Sequence, residues 1–133
     1  VTFYKSWRGW SNVIINFNPF NCFKRFDLSQ DTNINTKLTD ASVFLYPVDN
    51  YGDAPLIRHM IEVEKPDAIM LITDPRYFIW LFQIENEVRK KMPIIYLNIW
   101  DDYPAPMYNK GYYESCDALL AISKQTKLIK LLF

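Results

Sequence analysis

The chain has 133 residues, half of them hydrophobic and 17% aromatic. That is enough for one ordinary domain with its own core, and too apolar for a disordered segment. Fifteen Lys and Arg balance fifteen Asp and Glu, so no net field recruits nucleic acid, an anionic membrane or a highly charged partner.

Residues 1–40 carry one recognisable β-prone run, Val13–Phe17 (VIINF). The remainder, rich in Asn with Pro19, reads as an irregular N-terminal segment. From Asp40 onward a regular alternation begins. Ala41–Val48 is a short β-rich stretch, and Asp49–Gly52 (DNYG) signals a turn. Asp53 is placed to cap a helix with Pro55 in its first turn. Leu56, Ile57, Met60 and Ile61 give that helix one apolar face, and Lys65-Pro66-Asp67 breaks it. Ala68–Thr73 (AIMLIT) is wholly apolar up to its last residue, the pattern of a strand buried on both faces of a parallel sheet.

Asp74-Pro75 opens a second helix, Asp at the cap and Pro in the first position. Tyr77, Trp80, Leu81, Ile84 and Val88 recur along it at helical intervals, and charged residues through Lys91 cover the other face. Pro93 starts a strand that runs through Trp100. Ala105–Cys116 reads as an irregular helix interrupted by Gly111. Ala118–Ile122 is a fourth apolar strand. Ser123 is placed to cap a last helix over Lys124–Phe133, whose apolar residues predict packing against a second domain or subunit. Strands alternating with helices of this length predict an α/β fold: a Rossmann-like parallel sheet with helices on both faces. Right-handed crossovers put the loops after Thr73, Trp100 and Ile122 along one edge, the edge where open α/β sheets bind ligands.

Glycine is scarce, with Gly9, Gly52 and Gly111 only. Neither a G-x-G-x-x-G nor a Walker A motif is present, so a dinucleotide or P-loop site lacks its phosphate cradle. The two cysteines, Cys22 and Cys116, and the one histidine, His59, form no metal-ligand or redox pattern. They read as free thiols of a reducing, cytoplasmic compartment and a helix residue facing water. No apolar run approaches the ~20 residues of a membrane span, and the start is too polar and aromatic for a secretion signal. The first residue is Val, not Met, which leads us to expect a processed or partial chain.

Three groups of residues bear a resemblance to a known family. Lys65-Pro66-Asp67 precedes a buried strand. Pro93–Pro104 runs from an apolar strand into an acidic loop. Cys116-Asp117-Ala118 is followed by Ser123–Thr126, an SxxT. The turn Pro47–Asp53 fits as well. In this order and spacing, over about residues 45–130, they resemble the N-terminal, acceptor-side domain of a GT-B-fold, group-1-type glycosyltransferase. The resemblance implies that residues 41–133 form one half of a GT-B architecture, itself partial, with residues 1–40 poorly matched. It implies transfer of a sugar from a nucleotide-sugar donor to a hydroxyl acceptor, with no metal or other cofactor. The nucleotide-binding half would lie on a missing C-terminal domain, and the isolated fragment would be inactive.

The same resemblance implies that the loop after Trp100 faces the cleft, with Asp101 and Asp102 as catalytic carboxylates. One of them would orient the acceptor hydroxyl or take its proton. Asp74, Tyr103, Ser123 and Lys124 are expected to bind substrate. For Asp74 and Ser123 helix capping is an equally direct role, and for Tyr103 so is packing. The alternative reading is a stand-alone flavodoxin-like binding or interaction domain without catalysis.

Overall fold

Helix boundaries follow from capping chemistry. In a computed structural model, residues 2–5, 10–17, 26–27, 41–48, 51–100 and 102–130 are described. Cys22, Asp49, Asn50, Asp101 and residues 131–133 lie outside them. The described chain divides into two units, Val1–Ile69 and Met70–Phe133, with the boundary inside a strand.

In the first unit, β1 (Thr2–Lys5) runs antiparallel to β2 (Trp10–Phe17), with Thr2 opposite Ile14. β2 pairs in parallel with β4 (Ala41–Val48) from Trp10↔Ala41 to Phe17↔Val48. The two-residue β3 (Phe26–Asp27) pairs antiparallel with β4. The sequence announces only part of β2 in this region. The pairing is mixed where a wholly parallel sheet was expected. Antiparallel neighbours need no long crossover, and β1 and β2 are separated by only four residues in sequence.

Helix α1 spans Ala54–Glu64. The Asp53 carboxylate accepts the Leu56 N–H at 2.8 Å, and Pro lies in the first turn. Leu56, Ile57, Met60 and Ile61 are buried, as their spacing predicts. Lys65 ends the helix in the left-handed region (φ 46°), its N–H returning to the Ile61 carbonyl at 3.1 Å. The last turn is tied to β4 by the Tyr46 hydroxyl, which donates to buried Glu64 Oε1 at 2.5 Å.

The second unit carries the parallel arrangement expected from the apolar runs: β5 (Ala68–Ile72), β6 (Ile94–Asn98) and β7 (Ala118–Ala121), in that order. β6 and β7 are in register from Ile95↔Ala118 to Asn98↔Ala121. The strands are not buried on both faces. In β5 only Ile69 and Leu71 are fully buried, and in β6 Ile94, Tyr96 and Asn98. β7 is largely exposed, with Leu119, Leu120 and the following Ile122 open to solvent. Its one described pairing is with β6.

The predicted long helix after Asp74 is instead a series of short turns. A 3-10 turn over Pro75–Phe78 leads into α2 (Ile79–Phe82) and then α3 (Glu85–Val88). Hydrogen bonds tighten to three-residue spacing where the Ile84 N–H donates to the Leu81 carbonyl and the Glu87 N–H to the Ile84 carbonyl, at the junction of α2 and α3. The run Tyr77, Phe78, Trp80, Phe82 has weak helix propensity, and packing decides: Phe78, Leu81 and Val88 are buried. A second 3-10 turn, Met107–Asn109, leads into α4 (Lys110–Glu114). Gly111 lies inside α4 and does not interrupt it. Helix α5 (Lys124–Lys130) follows β7 and starts at Ser123, whose hydroxyl accepts the Thr126 N–H at 3.1 Å. No described helix is long and apolar enough to cross a membrane.

Candidate functional site

The site begins where β5 ends. Thr73, the next residue, has φ 90°, a conformation costly for a β-branched side chain. Its carbonyl accepts the hydroxyl of Tyr96, which rises from β6. Burial raises the Tyr96 phenol well above its ordinary range, with the neighbouring Tyr113 and Asp74 adding to the shift. The group therefore stays protonated and keeps donating.

At the end of β6 stands Asn98, only 1% exposed. Its Oδ1 accepts the Trp100 N–H at 2.9 Å and turns the chain out of the strand. The loop continues with Trp100 Nε1 donating to the Asp102 carbonyl at 2.7 Å, and Asp102 Oδ1 accepting the Tyr103 N–H at 2.7 Å. A cis Tyr103–Pro104 bond leads to the next turn.

The far wall comes from the 3-10 turn and α4. Asn109, also 1% exposed, donates from Nδ2 to the Tyr113 hydroxyl at 3.4 Å, while its Oδ1 has no partner. Tyr113 packs against Tyr96, ring centres 5.4 Å apart. Burial raises its phenol, hydrogen bonding from the Asn109 and Asn98 amides partly offsets this, and the neighbouring Asp74 and Tyr108 add to the rise.

These residues enclose a cavity of about 400 Å³, within the usual range for small-molecule sites. Its walls are formed by Thr73, Asp74, Pro75, Tyr77, Tyr96, Asn98, Ile99, Trp100, Asp102, Asn109 and Tyr113. All of them belong to the second unit, at the carboxyl ends of β5 and β6 and on the turn before α4. The location follows the rule for open parallel sheets. The charged lining residues are both acidic.

The two differ in their engagement. Asp74 accepts the Arg76 N–H at 2.9 Å and a forked guanidinium contact, the shortest leg 2.6 Å. That hydrogen bonding holds its carboxyl below the ordinary range, and in return raises the exposed Arg76. Arg76 also lies 4.9 Å from the centre of the Tyr108 ring, which meets Trp100 edge-on. Asp74 thus arrives capped and neutralised, whereas Asp102 stands exposed at the rim.

Of the residues the sequence singles out, the structure brings Asp74 and Asp102 together at the cavity. Asp101 lies outside the described residues. Tyr103 is exposed and, like Ser123 and Lys124, is not part of the lining. Ser123 acts as the cap of α5 and also meets the Thr126 hydroxyl at 2.9 Å. Sequence reasoning passed over Asn98, Asn109, Tyr96 and Tyr113. Asn98 had a signal, a lone amide ending the apolar run IIYLN; Asn109 had none. Among the described residues no three His, Cys, Asp or Glu side chains gather where a metal ion could be held. Compared with protein-family models, curated proteins and solved structures, the chain has no match in any of the three.

Proposed function

We propose that the cavity is the acceptor pocket of a glycosyltransferase, and that this chain contributes the acceptor-side domain of a GT-B-type enzyme. One observation carries the reading: a small-molecule cavity lies at the carboxyl ends of two parallel strands, with an exposed carboxylate, Asp102, at its rim. Of the segments that resemble the family, only Pro93–Pro104 contributes to its lining, with Tyr96, Asn98, Ile99, Trp100 and Asp102. An acceptor hydroxyl entering the cavity would meet Asp102, which can orient it and take its proton as its oxygen bonds to the sugar's anomeric carbon and the nucleotide phosphate leaves with the electron pair of the bond it held. The nucleotide-sugar donor would be held by a further domain. Asp101, its sequence neighbour, shares the same proposed role.

A second reading, a binding domain without catalysis, draws on a different observation. Asp74, the other carboxylate at the cavity, is already neutralised by Arg76 and occupied in capping. A pocket whose acid is spent on structure can bind without performing chemistry.

The test is transfer by the full-length protein, scored against a panel of nucleotide-sugar donors. Asp101→Asn and Asp102→Asn should be made separately. If one carboxylate does acid–base work, its replacement lowers kcat by about 10²-fold or more with folding intact. A rise in KM alone would assign it to acceptor binding. Asp74→Asn should be far milder, since Asn caps a turn about as well as Asp. If both loop variants keep kcat within about twofold, the loop is not catalytic and the binding-domain reading takes its place.

A further inference from the structure

We propose that the cavity takes a ligand bearing a positively charged amine, held at the mouth by the Asp102 carboxylate and the rings of Trp100 and Tyr77. The inference deepens the acceptor-pocket reading and rests on it for the claim that the cavity holds a substrate.

Charge decides the sign of the ligand. The lining contains no Lys, Arg or His, and its two charged residues are Asp74 and Asp102. Asp74 is matched by Arg76, whose guanidinium forks onto it with a shortest leg of 2.6 Å, so that pair contributes no net charge. Asp102 differs. Its Oδ1 accepts the neighbouring Tyr103 N–H at 2.7 Å, and among the described residues no cation pairs with either oxygen. The mouth of a concave site thus keeps an uncompensated negative charge, which attracts a cation and repels a phosphate or a nucleotide. The whole chain is balanced, fifteen basic residues against fifteen acidic, so the sign belongs to the site and not to the protein at large.

Aromatic surface supplies the second contact. Trp100 and Tyr77 both line the cavity, and Tyr77 is 49% exposed. The Trp100 Nε1–H donates to the Asp102 carbonyl at 2.7 Å, so indole and carboxylate are neighbours held in one loop. Tyr108 meets the indole edge-on, ring centres 6.3 Å apart, which fixes its place further. A cation is drawn to the face of an aromatic ring by the ring quadrupole, and to Trp most strongly. The protein already uses that attraction at this mouth, where the Arg76 guanidinium lies 4.9 Å from the centre of the Tyr108 ring. An ammonium group gains from the carboxylate and from the rings together. A neutral hydroxyl gains neither the ion pair nor the attraction to a ring face, and an anion is opposed by both.

The experiment is a titration of the 133-residue chain, read at the Trp100 indole N–H in a nitrogen–proton correlation spectrum. Each cationic probe is paired with a neutral compound of like shape. Choline is set against its tert-butyl analogue, and D-glucosamine, at a pH that keeps its amine charged, against D-glucose. Inorganic phosphate and UDP are titrated in parallel. At least one cation should shift the resonance saturably and bind about tenfold more tightly than its neutral counterpart, the combined worth of a ring contact and an exposed ion pair. Added sodium chloride should weaken that binding, and Asp102→Asn should weaken it by about threefold to fivefold. No response to either cation overturns the inference. So does a neutral counterpart that binds as tightly as its cation, saturable binding of phosphate or UDP, or undiminished cation binding in folded Asp102→Asn. The wild-type comparison of cation with neutral counterpart decides the question even if the variant fails to fold. The transferase reading is tested apart: cation binding without sugar transfer leaves this inference standing, and transfer with no cation response removes it alone.

Discussion

Asp117 holds Ile94 from both sides. The Ile94 N–H donates to Asp117 Oδ2 at 2.8 Å, and the Asp117 N–H donates to the Ile94 carbonyl at 2.8 Å. The other carboxylate oxygen takes a forked contact from Arg89, at 3.1 Å from Nε and 2.8 Å from the terminal nitrogen. The clamp sits one residue before the paired positions Ile95↔Ala118, where it sets the register of β6 and β7. The Cys116-Asp117-Ala118 motif therefore has a structural explanation here, independent of any substrate.

Asp117→Ala removes the acceptor for a part-buried N–H and should cost about 1 kcal/mol, the net worth of one hydrogen bond. The exposed Arg89 contact adds little. Urea denaturation would show a lowered midpoint with an unchanged slope. No change in midpoint would mean that water replaces the carboxylate at no loss.

Acid should weaken the fold through two carboxylates. The Arg89 contact and the Ile94 N–H hold the Asp117 carboxyl below its ordinary 3.8, and Arg76 does the same for Asp74. With folded-state values depressed, their stabilising contributions are complete above the ordinary value and disappear as pH falls through the folded one, because the unfolded chain takes up the protons first. Melting temperature should therefore decline below that value and less steeply in Asp117→Asn. Identical acid limbs in wild type and variant would remove Asp117 from the account.

Thr73→Gly tests the backbone strain at the end of β5. Glycine relieves the positive φ, worth about 1 kcal/mol or more for a β-branched residue. The variant should melt higher in a thermal denaturation, because glycine adopts this conformation without the cost a β-branched side chain carries. A variant that is less stable than wild type would show that the left-handed conformation is not strained there.

Gly111→Ala should stabilise the chain by about 0.5–1 kcal/mol, the usual gain from replacing an interior helical glycine. Gly111 lies within α4, and an added methyl group would meet no atom within 4 Å. Thermal melts of the two proteins give the comparison, and a destabilised variant would show that α4 does not hold this glycine in a helical conformation.

Much of this protein was legible in one dimension. Asp53 with Pro55, the stop at Lys65-Pro66 and the cap at Ser123 are decided within four residues of chain, by hydrogen bonds and fixed dihedrals that need no tertiary partner. The apolar runs of β5, β6 and β7 likewise announce strands, and their alternation with helical segments announces parallel pairing. Asp74 and Asp102 could be placed at the binding edge because strand ends were visible.

What tertiary structure alone decided is which residues meet. The helix expected after Asp74 breaks into short turns because the Asp74–Arg76 fork and aromatic packing outweigh a weak helical preference. The pairing of β1 with β2 depends on register between segments whose composition hardly marks them. Asn98 and Asn109 are ordinary loop-forming residues in the sequence. They become buried neighbours of Tyr113 only because β6, its turn and α4 come together around them. Periodicity reports which face of an element is apolar, whereas desolvation of a particular amide depends on every neighbour around it.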